Sequence, residues 1–276
     1  MGGKDLSELT REELELYDRQ IRIPKFGVEG QKKLKKSRVT VAGVGGLGCP
    51  ALIYLTAAGV GNITIIDKDM VELSNLNRQI LHWDKDIKRY KVDSAIEKLS
   101  QLNPRVKIYG KVTEITEDNV NALLKGSDVV IDGMDNFRTR LILNKACVEL
   151  GIPFVHAAIY GLEGELLTVI PGKGPCYQCL LPQAPPEIKP FPVLGATPAV
   201  MACLQVIETI KLITGCGEVE AGRLLLFNGN DMRFDILRIS RDPNCPVCGN
   251  LIKKEVVTSP SSARQGLPEF GRTRDS

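Results

Sequence analysis

Apolar and polar positions along the first 160 residues follow two periods in turn. Leu14, Tyr17 and Ile21 recur at helical spacing and Leu34 belongs to a second amphipathic piece, so residues 5–36 are expected to be helical. Arg38 to Ala42 is a short apolar run ending in glycines, which predicts a strand. A helix is expected over 49–59, stopped by Gly59 and Gly61, and a second strand from Asn62 to Asp67. Val92, Ala95, Ile96, Leu99 and Leu102 share one face of a helix over 91–102, with Pro104 beyond its end. Three more strands follow at Val106 to Tyr109, Val129 to Asp132 and Phe154 to Ala158. Between them come a short helix capped by Asp118 and ending at Lys125, then a helix from Arg138 to Leu150. Strands alternating with helices predict a mostly parallel sheet with helices on both faces. The continuous apolar runs agree, because strands covered on both faces have no polar side.

The pattern changes after residue 160. Glu165 to Ile170 and Leu224 to Ser240 read as antiparallel additions, with a helix over 197–214 between them. Six prolines from Pro182 to Pro198 predict a long irregular loop. Residues 251–276 are polar and are expected to form a disordered tail.

Composition narrows the class. Hydrophobic residues make up 43% and charged residues 25%, which suits a globular core. Lys plus Arg number 36 against 33 Asp plus Glu, so net charge gives no reason to expect nucleic acid or an anionic membrane as partner. No apolar run reaches the roughly 18 residues that span a bilayer. Met1 to Glu15 is polar, without a signal-peptide core, and Leu6 breaks the myristoylation pattern. The expected compartment is the cytoplasm, where the eight cysteines stay reduced.

Chemistry begins at Gly43-Val44-Gly45-Gly46-Leu47-Gly48, which follows a strand and opens a helix. Gly43, Gly45 and Gly48 fit the dinucleotide fingerprint, in which backbone N–H groups and the helix dipole hold phosphate. Asp67 lies about 19 residues after Gly48, at the end of the next strand, where it can accept from ribose hydroxyls. A nicotinamide enzyme would look the same to this point. Asp69, Asn75 and Arg78 follow the second strand, Lys91 begins the next helix, and Asp135 and Asn136 come just after the fourth strand. That density of charge suits a triphosphate attacked at its α-phosphate, with Mg²⁺ on a carboxylate, better than it suits hydride transfer.

Cys176 and Cys179 are separated by two residues, as are Cys245 and Cys248. Four thiolates from two such pairs make a closed tetrahedral Zn²⁺ site, although 66 residues separate Cys179 from Cys245. Two independent thiol pairs, one redox-active, are the other reading, and Pro246 keeps it open. Cys49, Cys147, Cys203 and Cys216 are expected to be buried and inert. Neither His82 nor His156 is given a catalytic role, and His156 is expected to be a packed core residue.

From Leu14 to Gly249 the sequence strongly resembles the ThiF/MoeB/HesA family, bacterial and archaeal relatives of ubiquitin-activating enzymes. The resemblance rests on Tyr17-Asp18-Arg19-Gln20-Ile21, the glycine turn, Ser74-Asn75-Leu76-Asn77-Arg78-Gln79, Lys91-Val92, Asp135-Asn136 and both cysteine pairs. It implies a Rossmann-like α/β fold extended by antiparallel strands and a four-cysteine zinc site. Residues 1–250 would form one adenylation domain, with a nucleotide-binding half over 14–160 and an antiparallel, zinc-bearing half over 161–250. It implies ATP-dependent adenylation of the C-terminal glycine of a small ubiquitin-like sulfur carrier ending in Gly-Gly. Such a carrier serves molybdopterin or thiamine biosynthesis or tRNA thiolation. By the same resemblance Asp67 binds ribose, Asn75, Arg78 and Lys91 handle phosphates, and Asp135 holds Mg²⁺. Arg19 would cross into the partner's site in a homodimer. Three alternatives stand beside this: an NAD-dependent oxidoreductase, a relative that adenylates a small-molecule or tRNA-linked carboxylate, and a non-catalytic scaffold. One departure matters. Several relatives carry a cysteine in the loop over the active site, but Leu180 to Val200 contains none, and Ile188 or a neighbour takes that place. The activity is therefore expected to stop at the acyl-adenylate.

Overall fold

The computed structural model describes residues 8–186 and 190–249, so the expected tail over 251–276 lies outside the described residues. The N-terminal helical stretch is divided into α1 (Arg11–Leu16), α2 (Asp18–Ile21) and α3 (Gly27–Lys36). Thr10 and Glu13 start α1 as a reciprocal cap: the Glu13 N–H donates to Thr10 Oγ1 (3.2 Å) and the Thr10 N–H to Glu13 Oε2 (2.7 Å). Pro24 and the left-handed Lys25 (φ 67) and Gly27 (φ 57) break the path before α3, so periodicity alone overestimated its continuity.

The remaining elements run β1 (Arg38–Ala42), α4 (Gly48–Ala58), β2 (Asn62–Asp67), α5 (Lys91–Leu102), β3 (Lys107–Val112) and α6 (Val120–Leu124). Then come β4 (Val129–Asp132), α7 (Phe137–Leu150), β5 (Phe154–Tyr160), β6 (Glu163–Val169), α8 (Tyr177–Leu180), α9 (Ala196–Thr214), β7 (Arg223–Asn228) and β8 (Arg233–Arg238). The strands form one sheet in the order β3-β2-β1-β4-β5-β6-β7-β8. Pairing is parallel from β3 to β5 and antiparallel from β5 to β8. Alternate residues serve two cores, as a doubly covered sheet requires. Val39, Val41, Ile63, Ile65 and Ile131 meet side chains of α4, α5 and α9. Ala42, Ile66, Val130 and Phe154 meet those of α6 and α7 on the other face.

Several boundaries differ from the sequence expectation. The third strand begins one residue later and ends three later, because the edge strand β3 is largely solvent-exposed and tolerates Lys107, Gly110 and Lys111. Asn119, not Asp118, stands at the start of α6. Its amide instead shapes the preceding turn, accepting from the Thr116 N–H (2.9 Å) and donating to the Glu114 carbonyl (2.8 Å). Leu224 to Ser240, expected as an antiparallel addition, forms the two strands β7 and β8, reversing at residues 229–232. By length and hydropathy α9 is the one helix among the described residues that could cross a bilayer. It carries Gln205, Glu208 and Lys211 and packs against β5, β6, α3 and α4, so its apolar side chains supply the core of this fold.

Candidate functional site

The order β2-β1-β4 reverses direction at β1, and the glycine turn leaves the carboxyl end of β1 at that point. Gly43 has φ 95, and a Cβ there would sit 2.5 Å from the Gly133 carbonyl oxygen. A Cβ on Gly48 would collide with the Gly43 carbonyl, so this glycine lets α4 close on the turn. Gly45 and Gly46 line a cavity of about 1120 Å³ together with Asp67, Asp69, Arg78 and Lys91. Asp67 accepts the Val44 N–H (2.7 Å) and the Asp69 N–H (2.8 Å). Burial pushes its carboxyl up, while the Lys91 charge and those two N–H groups pull it back. Lys91 Nζ is 3.3 Å from Asp69 Oδ2. His82 braces the turn from behind: Nε2 lies 3.2 Å from the Val44 carbonyl and Nδ1 2.9 Å from Ser94 Oγ. Burial lowers this histidine to about 4, so it is neutral.

Arg78 is set by donation from Nη1 to the Ser74 carbonyl (2.7 Å) and to Asn77 Oδ1 (2.9 Å). Asn75 is buried in the 3₁₀ turn before it and does not line the cavity. Its Oδ1 accepts the Glu72 N–H (3.1 Å), and its carbonyl accepts from the backbone of Arg78 and Gln79. Asp135 and Asn136 line the cavity, and Asn136 also caps α7 by accepting the Thr139 N–H (2.8 Å). Arg19 is exposed on α2 and is not part of this chain's cavity. Gln79, given no role from sequence, is a buried part of the wall, and its Oε1 has no hydrogen-bond partner among the described residues. Its place in the Ser74–Gln79 motif was the available signal.

A second cavity of about 650 Å³ adjoins the first, sharing Asp135, Arg140, Ile159 and Phe191 with it. Pro185, Pro186 and Phe191 of the proline-rich loop form part of its wall. Ile188, the residue in place of a loop cysteine, lies outside the described residues. Behind the junction, His156 is buried as expected, but among ionisable groups rather than only apolar ones. Its Nδ1 is 2.6 Å from Asp132 Oδ2 and its Nε2 3.2 Å from Glu165 Oε1.

The two cysteine pairs converge. The four Sγ atoms lie within 4.8 Å of one another, with Cys176–Cys245 at 3.7 Å and Cys179–Cys248 at 3.4 Å. Four thiolates around zinc at about 2.3 Å stand about 3.8 Å apart, so the donor set and spacing fit Zn²⁺. The convergence of all four sulfurs in one cluster speaks against two independent thiol pairs. Cys49 and Cys147 are buried, while Cys203 and Cys216 are only partly so, less than the sequence suggested.

Residues 17–247 match the ThiF family. The chain belongs to that family. It is 44% identical over 246 residues to the SAMP-activating enzyme E1 of Haloferax volcanii, covering 87% of this chain and 91% of that protein. It is 41% identical over 251 residues to the sulfur carrier protein adenylyltransferase of Thermus thermophilus, covering 87% and 93%. A longer relative, the adenylyltransferase and sulfurtransferase MOCS3 of Culex quinquefasciatus, is 43% identical over 251 residues, and the match covers 89% of this chain and 57% of that protein. Among solved structures, E. coli MccB crystallised with MccA-N7isoASN superposes with a TM-score of 0.78 at 23% identity, covering 89% of this chain and 77% of that one. At that identity the likeness concerns the fold.

Proposed function

We propose that this protein is an ATP-dependent adenylyltransferase that activates the C-terminal glycine of a small ubiquitin-like sulfur carrier ending in Gly-Gly. The observation that carries the reading is the junction: a cavity with a glycine turn, Asp67, Arg78 and Lys91 opens at Asp135 and Arg140 into a second cavity. ATP would lie along the first, with Asp67 toward ribose and Arg78 and Lys91 toward the phosphates. The carrier tail would enter extended through the second, so that its carboxylate meets the α-phosphate where the two join. A C-terminal carboxylate has an ordinary pKa of about 3.5 and arrives ionised, so no general base is required. The difficulty is bringing an anion to a polyanion. Arg78 and Lys91 offset phosphate charge, and preorganised groups of this kind do so without reorganising during reaction. Asp135 offers the carboxylate oxygens that suit Mg²⁺, which would offset further charge on the phosphates. The products are carrier acyl-adenylate and pyrophosphate.

The reaction ends there in this reading. Cys203 sits on α9, and burial raises its thiol, which disfavours the nucleophilic thiolate. A homodimer in which Arg19 crosses to the partner's site completes the proposal, with residues 1–250 as one adenylation unit acting in the cytoplasm.

The test is ATP–pyrophosphate exchange with the sulfur carrier of Thermus thermophilus. Exchange should require the carrier and Mg²⁺, and Arg78→Ala or Asp135→Ala should slow it about 10²-fold. Equal exchange without carrier, or wild-type rates in both folded variants, would overturn the reading.

A further inference from the structure

The second cavity bears an acid where an anionic tail is to pass. Glu165 of β6 lines it with 34% of its side chain exposed, near the other acids Asp135, Glu163 and Asp235 and the cations Arg140 and Arg233. Glu165 differs from these acids in having a wholly buried histidine behind it. His156 of β5 places Nε2 3.2 Å from Glu165 Oε1 and Nδ1 2.6 Å from Asp132 Oδ2. An ionised carboxylate oxygen can only accept, so a ring between two of them donates from both nitrogens and is an imidazolium. The groups facing it are Asp132 from β4, Glu165 from β6, Arg140 from α7 and Tyr177 from α8. Arg140 Nε is 3.3 Å from Asp132 Oδ2, and the Tyr177 ring centroid is 4.2 Å from that of His156. Two basic side chains thus meet two acidic ones in this cluster. Burial alone would lower His156, but the two carboxylates overcome it and raise the group. Glu165 is raised by burial and lowered more by His156, ending below its ordinary range.

We propose that His156 is a positioning residue that cancels the charge of Glu165, letting this wall of the second cavity accept an anionic peptide tail; the inference rests on the adenylation reading. Glu165 keeps free lone pairs for backbone N–H groups of an extended Gly-Gly segment while losing its repulsion toward the terminal carboxylate. An apolar residue at 165 could not accept those bonds, and an uncompensated acid would oppose the carboxylate.

The experiment is a double-substitution cycle read by exchange kinetics with the Thermus thermophilus sulfur carrier. His156→Gln should raise KM for the carrier about tenfold, the scale of one uncompensated charge a few ångströms away in a partly wet site. KM for ATP should not follow. In a Glu165→Gln background the same His156→Gln change should move carrier KM by no more than about twofold, because the charge it uncovers is gone. A packing role for His156 predicts the opposite: equal losses in both backgrounds, or a fall in kcat with KM for both substrates disturbed. Either result overturns the proposal.

A second measurement covers the case in which His156→Gln does not fold. The chain has two histidines, so ¹⁵N-histidine NMR of the wild-type protein resolves both. At neutral pH, His156 should show two protonated ring nitrogens, beside a neutral His82 as internal reference. A bare nitrogen on His156 would overturn the charge pairing. Absence of exchange in the wild-type protein would instead strike the adenylation reading beneath it, while the NMR spectrum still judges the pairing.

Discussion

A charge in this site keeps its place only where something nearby holds it. Lys91 leans on Asp69, the Arg78 guanidinium on the Ser74 carbonyl, and Asp67 on two backbone N–H groups. His156 is held by two carboxylates, and this pairing makes stability depend on pH. His156 is raised above its ordinary 6.5, so its contribution is complete below that value and is lost as pH rises through the raised one. Glu165 is lowered below its ordinary 4.5, so its contribution is complete above that value and is lost as pH falls through the lowered one. The stability difference between wild type and Glu165→Gln should therefore be largest between 4.5 and 6.5 and shrink on both sides. Denaturant unfolding across that range measures it, and a difference independent of pH would contradict the pairing.

At the scale of elements, α8 is the least self-sufficient piece. Four residues cannot sustain a helix in water, because nucleation costs more than one turn returns. It is held by the Tyr177 N–H donating to Asn144 Oδ1 of α7 (2.8 Å), by the Tyr177 ring against His156, and by the meeting of Cys176 and Cys179 with Cys245 and Cys248. Zinc would join this short helix to the turn after β8, closing a long loop between them. Protein purified without added metal should hold about one Zn²⁺ per chain, as expected for a closed four-thiolate site. Chelation or Cys245→Ser should lower the melting temperature by about 5 °C or more, as losing a few kcal/mol does in a domain of this size. Zinc content near zero in the untreated protein would remove the site.

At the scale of the whole molecule, one sheet places both cavities on a shared edge. Parallel strands deliver the glycine turn, Asp67 and Asp135 to one end, and the antiparallel extension supplies the floor of the second cavity from β5, β6 and β7. Arg19 stands outside this arrangement within its own chain. If it completes the partner's site, then mixing Arg19→Ala with Asp135→Ala subunits should restore activity that neither variant has. The expected yield is about a quarter of wild type, since half the dimers would be mixed and each would hold one intact site. No recovery, with subunit exchange demonstrated by mass spectrometry, would count against the crossing.

The alternation of periods determined the order of strands and helices, and β1, β2 and β4 begin and end where their apolar runs do. Such runs are legible because the strand period and the cover on both faces are written in consecutive residues. The glycine turn was legible for a similar reason: its backbone conformation and close approach admit only glycine at Gly43 and Gly48. The cysteine spacing announced two pairs, but only the packing of α8 against the turn after β8 made them one cluster across 66 residues of sequence. Tertiary structure likewise withdrew Asn75 from the cavity wall and placed Gln79 there, since both sit in one short turn whose facing depends on what it packs against. It also set an apparent core histidine between two carboxylates. Nothing local to His156 reports Asp132 and Glu165, because those neighbours come from strands on either side of it. Periodicity encodes how a segment folds and which face it buries; the electrostatics of a buried group depend on partners that only the assembled sheet brings within hydrogen-bond distance.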